Sequence, residues 1–197
     1  KRKLLIGIAI SETLNSKQFY ELFQKLNDDV SLNHPFVLGD VKFSLPEVTS
    51  KWLETFDWLA SFERMKVENV KVLTILDAVF PRRLKEIYLP PIVLFYKGEL
   101  SLLNERLVAL VGSREHSNYA KQCTKTIVQD LVQKKIGIIS GLAKGVDSLA
   151  HLECLKDDGK TIAVIGSGLD VVYPPENANL YKEIGEKGLI ISEYPLG

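Results

Sequence analysis

The sequence predicts an α/β protein whose main part is a doubly wound parallel sheet. Three apolar runs are each followed by a glycine-rich turn and a helical pattern, and these segments occupy residues 107–114, 138–147 and 161–168. Each run is unbroken, as expected for a strand buried on both faces of a parallel sheet. Strand–helix alternation with right-handed crossovers therefore indicates a Rossmann-like sheet, and the three turns should share the rim at its carboxyl edge.

Length and charge allow several classes of protein. The 197 residues fit one large domain or a medium domain with a smaller partner. Lys and Arg together number 25, as do Asp and Glu, so the net charge is zero. A zero net charge neither requires nor excludes nucleic acid, and a polyanion would need basic residues gathered on one face.

The apolar runs and the cysteines predict a protein of the reducing cytoplasm. No run approaches the ~20 apolar residues that span a bilayer, so no membrane partner is expected. The short run at 4–10 lacks a following cleavage site and is not interpreted as a signal peptide. Cys123 and Cys154 lie in different predicted helices without metal-type spacing, which indicates free, partly buried thiols.

Residues 1–70 are predicted to form a helical domain. Ser16 is expected to cap a first helix, and a turn-rich stretch at 27–40 follows it. Pro46 then fits the first turn of another helix. The apolar positions of the two helices have helical spacing, namely Phe19, Leu22, Phe23 and Leu26 in the first and Trp52, Phe56, Leu59 and Phe62 in the second.

Aromatic residues of the second helix allow two interpretations. Trp52, Phe56 and Trp58 can be imagined as a platform on which bases stack. An aromatic stripe at helical spacing more often belongs to a hydrophobic core, and we favour that interpretation.

Residues 71–103 are predicted to bridge the helical part and the main sheet. Candidate strands lie at 71–75 and 92–98, with a short helix at 82–87 after Pro81. The main domain then alternates regularly. Its predicted strands are 107–112, 136–140, 161–166 and 189–192, and its predicted helices are 117–134, 146–157 and 176–187.

The first turn contains Gly112, Ser113 and Arg114 at the start of a helix. Backbone N–H groups, a hydroxyl and a guanidinium together suit a phosphate, because hydrogen bonds, helix dipole and permanent charge converge. The alternative is an ordinary tight turn whose arginine caps the surface.

The second turn has an unusual glycine spacing. Its candidate residues are Ser140, Gly141, Lys144, Gly145, Asp147 and His151. Asp147 lies at a helix start, where it can cap the helix or hold the loop in shape. His151 follows on the same helical face, so the pair is either catalytic or a structural hydrogen bond between loop and helix. We favour the structural bond, since no nucleophile motif or metal-ligand partner accompanies the pair.

The third turn begins like a dinucleotide fingerprint with Gly166 and Gly168, but Val171 replaces its third glycine. NAD and FAD are therefore discounted. The G-x-x-x-x-G-K-[ST], G-x-S-x-G and H-E-x-x-H patterns are missing from the sequence. His34, His116 and His151 lack ligand spacing. We thus expect no cofactor, no metal and no catalytic residues.

A proline-stiffened loop after the third turn contains Tyr173 and Asn177. Tyr173 can stack on a base, although a tyrosine beside prolines more often only packs. We expect both residues to shape the loop. From the residues alone, a glycine-rich rim bearing Arg114 and Lys144 suits a phosphate-containing ligand, which is either a nucleotide or a polymer. Ser140, Gly166 and Gly168 on the same rim are further expected phosphate contacts.

Five ordered motifs together resemble the bacterial DNA-processing protein A family, called DprA or Smf. They comprise the three turns, Tyr173 and Pro174 with Asn177, and Ser192 and Glu193 near the end. The resemblance covers residues 71–197, and residues 1–70 are compatible with the small helical, SAM-like domain of many members. It also implies that the chain is a fragment lacking a C-terminal part.

The resemblance implies a non-enzymatic role. Members of the family bind and protect single-stranded DNA in the cytoplasm and help to load the RecA recombinase during natural transformation. The intact protein is then expected to be a homodimer. Arg114 and Lys144 would pair with phosphates, and the N–H groups of Gly112, Ser113, Gly141 and Gly145 would add donors.

Two other classes of function compete with DNA binding. A similar rim occurs in nucleotide phosphoribohydrolases of the lysine-decarboxylase-like family, but their P-G-G-x-G-T segment is missing from this sequence. A sensor of small nucleotides is the other alternative. All three classes place a phosphate on the same rim.

Overall fold

The computed structural model describes residues 2–28 and 46–197. The chain divides into two compact units, Lys1–Leu94 and Phe95–Gly197. The predicted domain boundary after residue 70 stays a prediction. Most of the predicted turn-rich stretch at 27–40, and His34 within it, lies outside the described residues. None of the described helices is long and apolar enough to cross a membrane.

The first unit begins with helices, as the sequence predicts. They are α1 Arg2–Ser11, α2 Ser16–Asp28, α3 Glu47–Thr55 and α4 Trp58–Val67. The predicted cap at Ser16 is wrong by one residue, because Asn15 and Gln18 form a reciprocal capping box. The N–H of Gln18 donates to Asn15 Oδ1 at 3.0 Å, and the N–H of Asn15 donates to Gln18 Oε1 at 3.1 Å.

The single helix predicted after Pro46 is instead the pair α3 and α4. The break falls at Asp57, whose carboxylate caps α4 by accepting from the N–H of Ala60 at 2.9 Å. The Phe56 ring lies 4.3 Å from that of Trp52 and 4.8 Å from that of Trp58. Leu59 was placed in this stripe, but the turn at Asp57 leaves it 74% exposed.

The aromatic rings pack within the first unit. A Cβ atom added to Gly7 of α1 would lie only 2.3 Å from the Trp58 ring, so the indole rests directly on the α1 backbone. This contact fits the core interpretation of the stripe. The unit continues with strand β1 Lys71–Thr74 and helix α5 Arg82–Lys85.

Strand–helix alternation in the second unit confirms the predicted α/β class. Strand β2 Val93–Gly98 begins in the first unit and ends in the second, and a 3-10 helix, Leu100–Asn104, follows it. The remaining strands are β3 Leu107–Ala109, β4 Gly137–Ser140, β5 Thr161–Ile165 and β6 Leu189–Ser192. The helices between them are α6 Asn118–Gln133, α7 Val146–Lys156, the 3-10 helix Pro175–Asn177 and α8 Ala178–Lys187.

Six strands form one sheet in the order β1-β2-β6-β5-β4-β3. Strands β3 to β6 pair in parallel, as predicted. Strand β2 is antiparallel to β6, with Phe95 opposite Ser192. The prediction that residues 71–103 only lead into the sheet is therefore wrong. Gly98, with φ 99°, lies so close to the Gly188 carbonyl that any side chain would clash with it.

The core of the second unit has two layers. Val128, Ala150 and Cys154 from α6 and α7 pack with Ile138 on one face. Strands β3, β4, β5 and β6 follow one another in the sheet in chain order, and right-handed crossovers between them place α6, α7 and α8 together on this face. On the other face Leu102 of the first 3-10 helix packs on Ile162, Leu189 and Ile191.

The expectation that each strand is buried on both faces is wrong for the β3 side of the sheet. Val108 is 38% exposed, Val111 72% and Val164 on β5 45%. Strand β3 is an edge strand: its Leu107 packs on the cluster of Leu102, whereas Val108, in register with Ile138, lies on the face of α6 and α7.

Both cysteines are free thiols. Cys123 is half-buried and Cys154 is buried. Burial raises the pKa of the Cys154 thiol to about 12, so that group is an unreactive part of the core.

Candidate nucleic-acid interface

The first two glycine turns touch through their main chains at the carboxyl ends of β3 and β4. The N–H of Val146 donates to the carbonyl of Ser113 at 3.1 Å. Gly145 adopts φ 93°, and a Cβ there would lie 2.2 Å from the Ser113 oxygen and 2.6 Å from that of Arg114. Glycine is thus required at position 145 both for its conformation and for the close approach.

Asp147 ties the same two turns together. Its side chain is 7% exposed, and its Oδ1 accepts from the N–H of Gly112 at 3.3 Å. Its Oδ2 accepts from the N–H of Gly141 at 3.1 Å. An internal carboxylate therefore accepts from both N–H groups, and their contact with a phosphate stays a prediction.

Ser140 is also structural. The side chain is 2% exposed, and its hydroxyl donates to the carbonyl of Leu110 at 2.6 Å. The bond ties β4 to the segment that leaves β3. The predicted phosphate contact of Ser140 is incorrect, since a buried and engaged hydroxyl cannot reach a surface ligand.

Two cations remain on the surface of the joined turns. Arg114 and Lys144 are exposed, and neither charged group makes a hydrogen bond or ion pair with any residue that the structure describes. Ser113 is exposed beside them, and its hydroxyl bonds the backbone of Glu115. The surface left for a ligand therefore consists mainly of a guanidinium and an ammonium.

The two glycines of the third turn differ in their exposure. Gly166 is exposed, and a Cβ there would meet no atom within 4 Å. Gly168 is buried, and a Cβ there would lie 2.3 Å from the carbonyl oxygen of Pro195. The expected ligand contact at Gly168 is therefore wrong, whereas Gly166 remains accessible.

Lys97 on β2 secures the third turn and was missed by sequence reasoning. Its Nζ donates to the carbonyl of Leu169 at 3.0 Å, and the Tyr181 hydroxyl donates to the same oxygen at 2.5 Å. The Lys97 ammonium also lies 5.9 Å from the centre of the Tyr181 ring. The only local signal was a lysine just before a turn glycine, Gly98.

Asn177 connects the proline loop to the second turn. Its Nδ2 donates to the carbonyl of Leu142 at 2.9 Å, and Leu142 itself has φ 55°. Tyr173 is 67% exposed, so its ring is a surface group and the packing alternative is wrong. Tyr194, which follows β6, is 49% exposed.

His151 is fully buried and does not pair with Asp147. Its Nδ1 lies 2.6 Å from the hydroxyl oxygen of Thr161, which itself donates to the carbonyl of Ile138 at 3.1 Å. The Thr161 oxygen is thus left to accept, so Nδ1 carries the proton. Nε2 has no partner among the described residues. The predicted bond is wrong because the His151 ring faces the strands rather than the loop.

Burial lowers the pKa of His151 from 6.5 to about 4, and the backbone of Ser140 partly opposes this shift. The imidazole is therefore neutral and enclosed at neutral pH. Within residues 2–28 and 46–197, no group of three or more His, Cys, Asp or Glu side chains could hold a metal ion.

Residues 71–197 match the family model for DNA recombination-mediator protein A. The chain belongs to this family. The match spans both strands of the segment 71–103 and all three glycine turns.

Known relatives within the DNA recombination-mediator protein A family are similar over much of the chain. Protein Smf from Synechocystis is 39% identical over 170 residues, which are 83% of this chain and 43% of that protein. DNA processing protein DprA from Streptococcus pneumoniae is 48% identical over 124 residues, covering 63% and 44% of the two chains. This chain thus matches less than half the length of either relative.

Solved structures agree with the family assignment. DprA from Streptococcus pneumoniae superposes with a TM-score of 0.79 at 35% identity, over 96% of this chain and 66% of that chain. A structure of DNA processing protein A from Helicobacter pylori, reported for its single-stranded DNA binding mode, gives a TM-score of 0.57 at 32% identity. It covers 65% of this chain and 58% of that one.

Proposed function

We propose that this chain binds single-stranded DNA through Arg114 and Lys144. One observation carries the proposal: two exposed cations flank the main-chain junction between Ser113 and Val146, and neither has a partner among the residues that the structure describes. Two free positive charges held by a rigid backbone suit successive phosphates of one strand. Arginine supplies a bidentate fork and lysine a point charge.

Binding through Arg114 and Lys144 themselves is independent of base sequence. The groups that face outward at the joined turns are these cations with the exposed Ser113 and Gly166, which suit phosphate contacts rather than base edges. The carboxylate of Asp147 accepts from the N–H groups of Gly112 and Gly141. The affinity for DNA therefore depends on the charges of the two side chains. Such binding weakens steeply as salt rises, because phosphate neutralisation releases counterions.

The cellular role that fits this binding is the one implied by the family. The intact protein protects incoming single-stranded DNA in the cytoplasm and helps to load RecA during natural transformation. It acts there as a homodimer without enzymatic turnover. Residues 1–70 form its small helical domain and residues 71–197 its DNA-binding domain, and the family match beginning at residue 71 supports this division.

A single titration tests the proposal. The protein is mixed with a fluorescent single-stranded oligonucleotide, with AMP as a small-nucleotide competitor, while ribose release is monitored. We expect tight oligonucleotide binding, little competition from AMP and no ribose release. Preferential AMP binding would favour a sensor, and ribose release would favour a phosphoribohydrolase.

A further inference from the structure

A cavity of about 390 Å³ lies where the amino-terminal halves of α6, α7 and α8 come together. Ligand cavities of this kind start at roughly 300 Å³, so one nucleotide fits. Gly145 and Asn177 line the cavity. Both also belong to the joined turns, since Gly145 abuts Arg114 and Asn177 bonds the carbonyl of Leu142.

The cavity has a basic side and an apolar floor. His116 and Lys121 line it from the α6 side, and both are exposed. Neither side chain makes a hydrogen bond or ion pair within the described part of the chain. Helix α7 contributes Leu149, which is 8% exposed, and Leu152, which is 39% exposed.

The side formed by α8 offers hydrogen-bond acceptors. Asn179 and Glu183 of α8 line it together with Glu176 of the preceding 3-10 helix, and Oε1 of Glu183 also accepts from Lys187 Nζ at 2.8 Å. Helix α7 contacts both α6 and α8, so the cations and the carboxylates stand on opposite sides of the leucine floor. An extended polyanion would be repelled on the α8 side, and an apolar peptide would leave the charges on both sides without partners.

We propose that this cavity, called here the helix groove, holds one nucleotide of the bound DNA strand. Its phosphate lies at Lys121, its base covers Leu149 and Leu152, and the base edge faces the α8 acceptors. Carboxylate and amide oxygens accept hydrogen bonds from the exocyclic amines of bases. The order of cation, apolar floor and acceptor therefore matches the order of phosphate, base face and base edge.

Continuity with Arg114 favours a nucleotide within a strand over a free one. The carbonyl of Arg114 abuts Gly145, and Gly145 lines the groove. A strand held by a phosphate at Arg114 can thus enter the groove without leaving the protein surface. The inference rests on the proposed function and adds a base-sized subsite to it.

The test uses an oligonucleotide carrying 2-aminopurine, whose fluorescence reports base stacking. The groove variants are Lys121→Ala and Leu152→Gln. Matched controls are Lys125→Ala and Ile127→Gln, because both residues are exposed on α6 and neither lines the groove. Circular dichroism and melting curves verify that every variant is folded.

We expect each groove variant to weaken oligonucleotide binding about fivefold or more, because Leu152→Gln removes apolar surface under the base and Lys121→Ala removes the cation at its phosphate. The controls should change affinity less than twofold. Lys121→Ala should also lower the salt slope by about one, whereas Leu152→Gln should keep the slope and lose the 2-aminopurine signal change.

Two results would overturn the inference while the proposed function stands. One is wild-type affinity in both groove variants alongside weak binding by Arg114→Ala. The other is full reversal of the 2-aminopurine signal by dAMP while the oligonucleotide stays bound, which indicates a separate mononucleotide site. If the wild-type protein does not bind the oligonucleotide, the proposed function itself fails.

Discussion

Asp147 accepts a hydrogen bond at 3.3 Å from the backbone N–H of Gly112, a residue 35 positions earlier in the chain. Its second oxygen serves Gly141. One buried carboxylate therefore joins the ends of β3 and β4. The turns that carry Arg114 and Lys144 are held from inside, so their stability and their DNA affinity should depend on the same side chain.

Replacing Asp147 by asparagine should destabilise the protein by about 1–3 kcal/mol. An amide has one oxygen and an NH₂ group, so one of the two part-buried backbone N–H groups loses its acceptor and the NH₂ group takes its place. Urea denaturation measures the loss, and oligonucleotide binding should weaken as the turns move apart. Asp130→Asn, at an exposed position on α6, is the control. Equal stability of the two variants would show that the bridge contributes nothing.

Gly145→Ala and Gly166→Ala should differ strongly. Alanine at 145 must adopt φ 93° and push its Cβ against the Ser113 carbonyl. Backbone strain of this kind costs on the order of 1–3 kcal/mol, and the steric contact adds to it. At 166 a Cβ meets open space, so we expect a change below about 0.5 kcal/mol. Melting temperatures compare the two variants, and similar values would contradict the main-chain junction.

Arg114→Ala should weaken single-stranded DNA binding at low salt and lower the slope of log affinity against log salt by about one. Arg106→Ala is the control, since Arg106 is also exposed but precedes β3, at the amino ends of the parallel strands. A mobility-shift titration at several salt concentrations gives both quantities. Unchanged affinity and slope in Arg114→Ala would remove this residue from the interface.

Acidification should destabilise the protein through His151. Burial lowers its folded-state pKa to about 4, below the unfolded value of 6.5, so the unfolded chain binds the extra proton between these values. The contribution is fully present above pH 6.5 and is lost as pH falls towards 4, by about 3 kcal/mol in all. Urea denaturation from pH 7 to pH 4 measures the loss.

His151→Gln should flatten this pH dependence, whereas His116→Gln, at an exposed position, should keep it. His151→Ala should mainly lower the melting temperature, because it removes the bond to Thr161 and opens a cavity. A normal melting temperature together with lost DNA binding would assign His151 a direct role at the interface instead.

Local patterns predicted the alternating part of the fold well. Helix α6 was expected at 117–134 and occupies Asn118–Gln133, with Ser117 as its cap. Strand β6 was expected at 189–192 and lies there. These elements depend on apolar periodicity and on neighbouring cap residues, which a sequence displays directly.

Long-range partners were not predictable in the same way. No local pattern shows that β2 pairs with β6, or that Lys97 reaches the carbonyl of Leu169. The rim was identified correctly as a place where the turns meet, yet the N–H groups of Gly112 and Gly141 were assigned to a ligand. Their partner is Asp147, and only the folded geometry decides between an internal and an external anion.

The contact between Gly145 and the carbonyls of Ser113 and Arg114 fixes the distance between the backbone positions that carry the two cations. Arg114 and Lys144 each extend from a turn that this main-chain contact and the Asp147 carboxylate hold in place. Core substitutions that alter stability should therefore leave the interval between the two cations unchanged. Under the proposed function, a strand of DNA then meets the same spacing of positive charge in each of these variants.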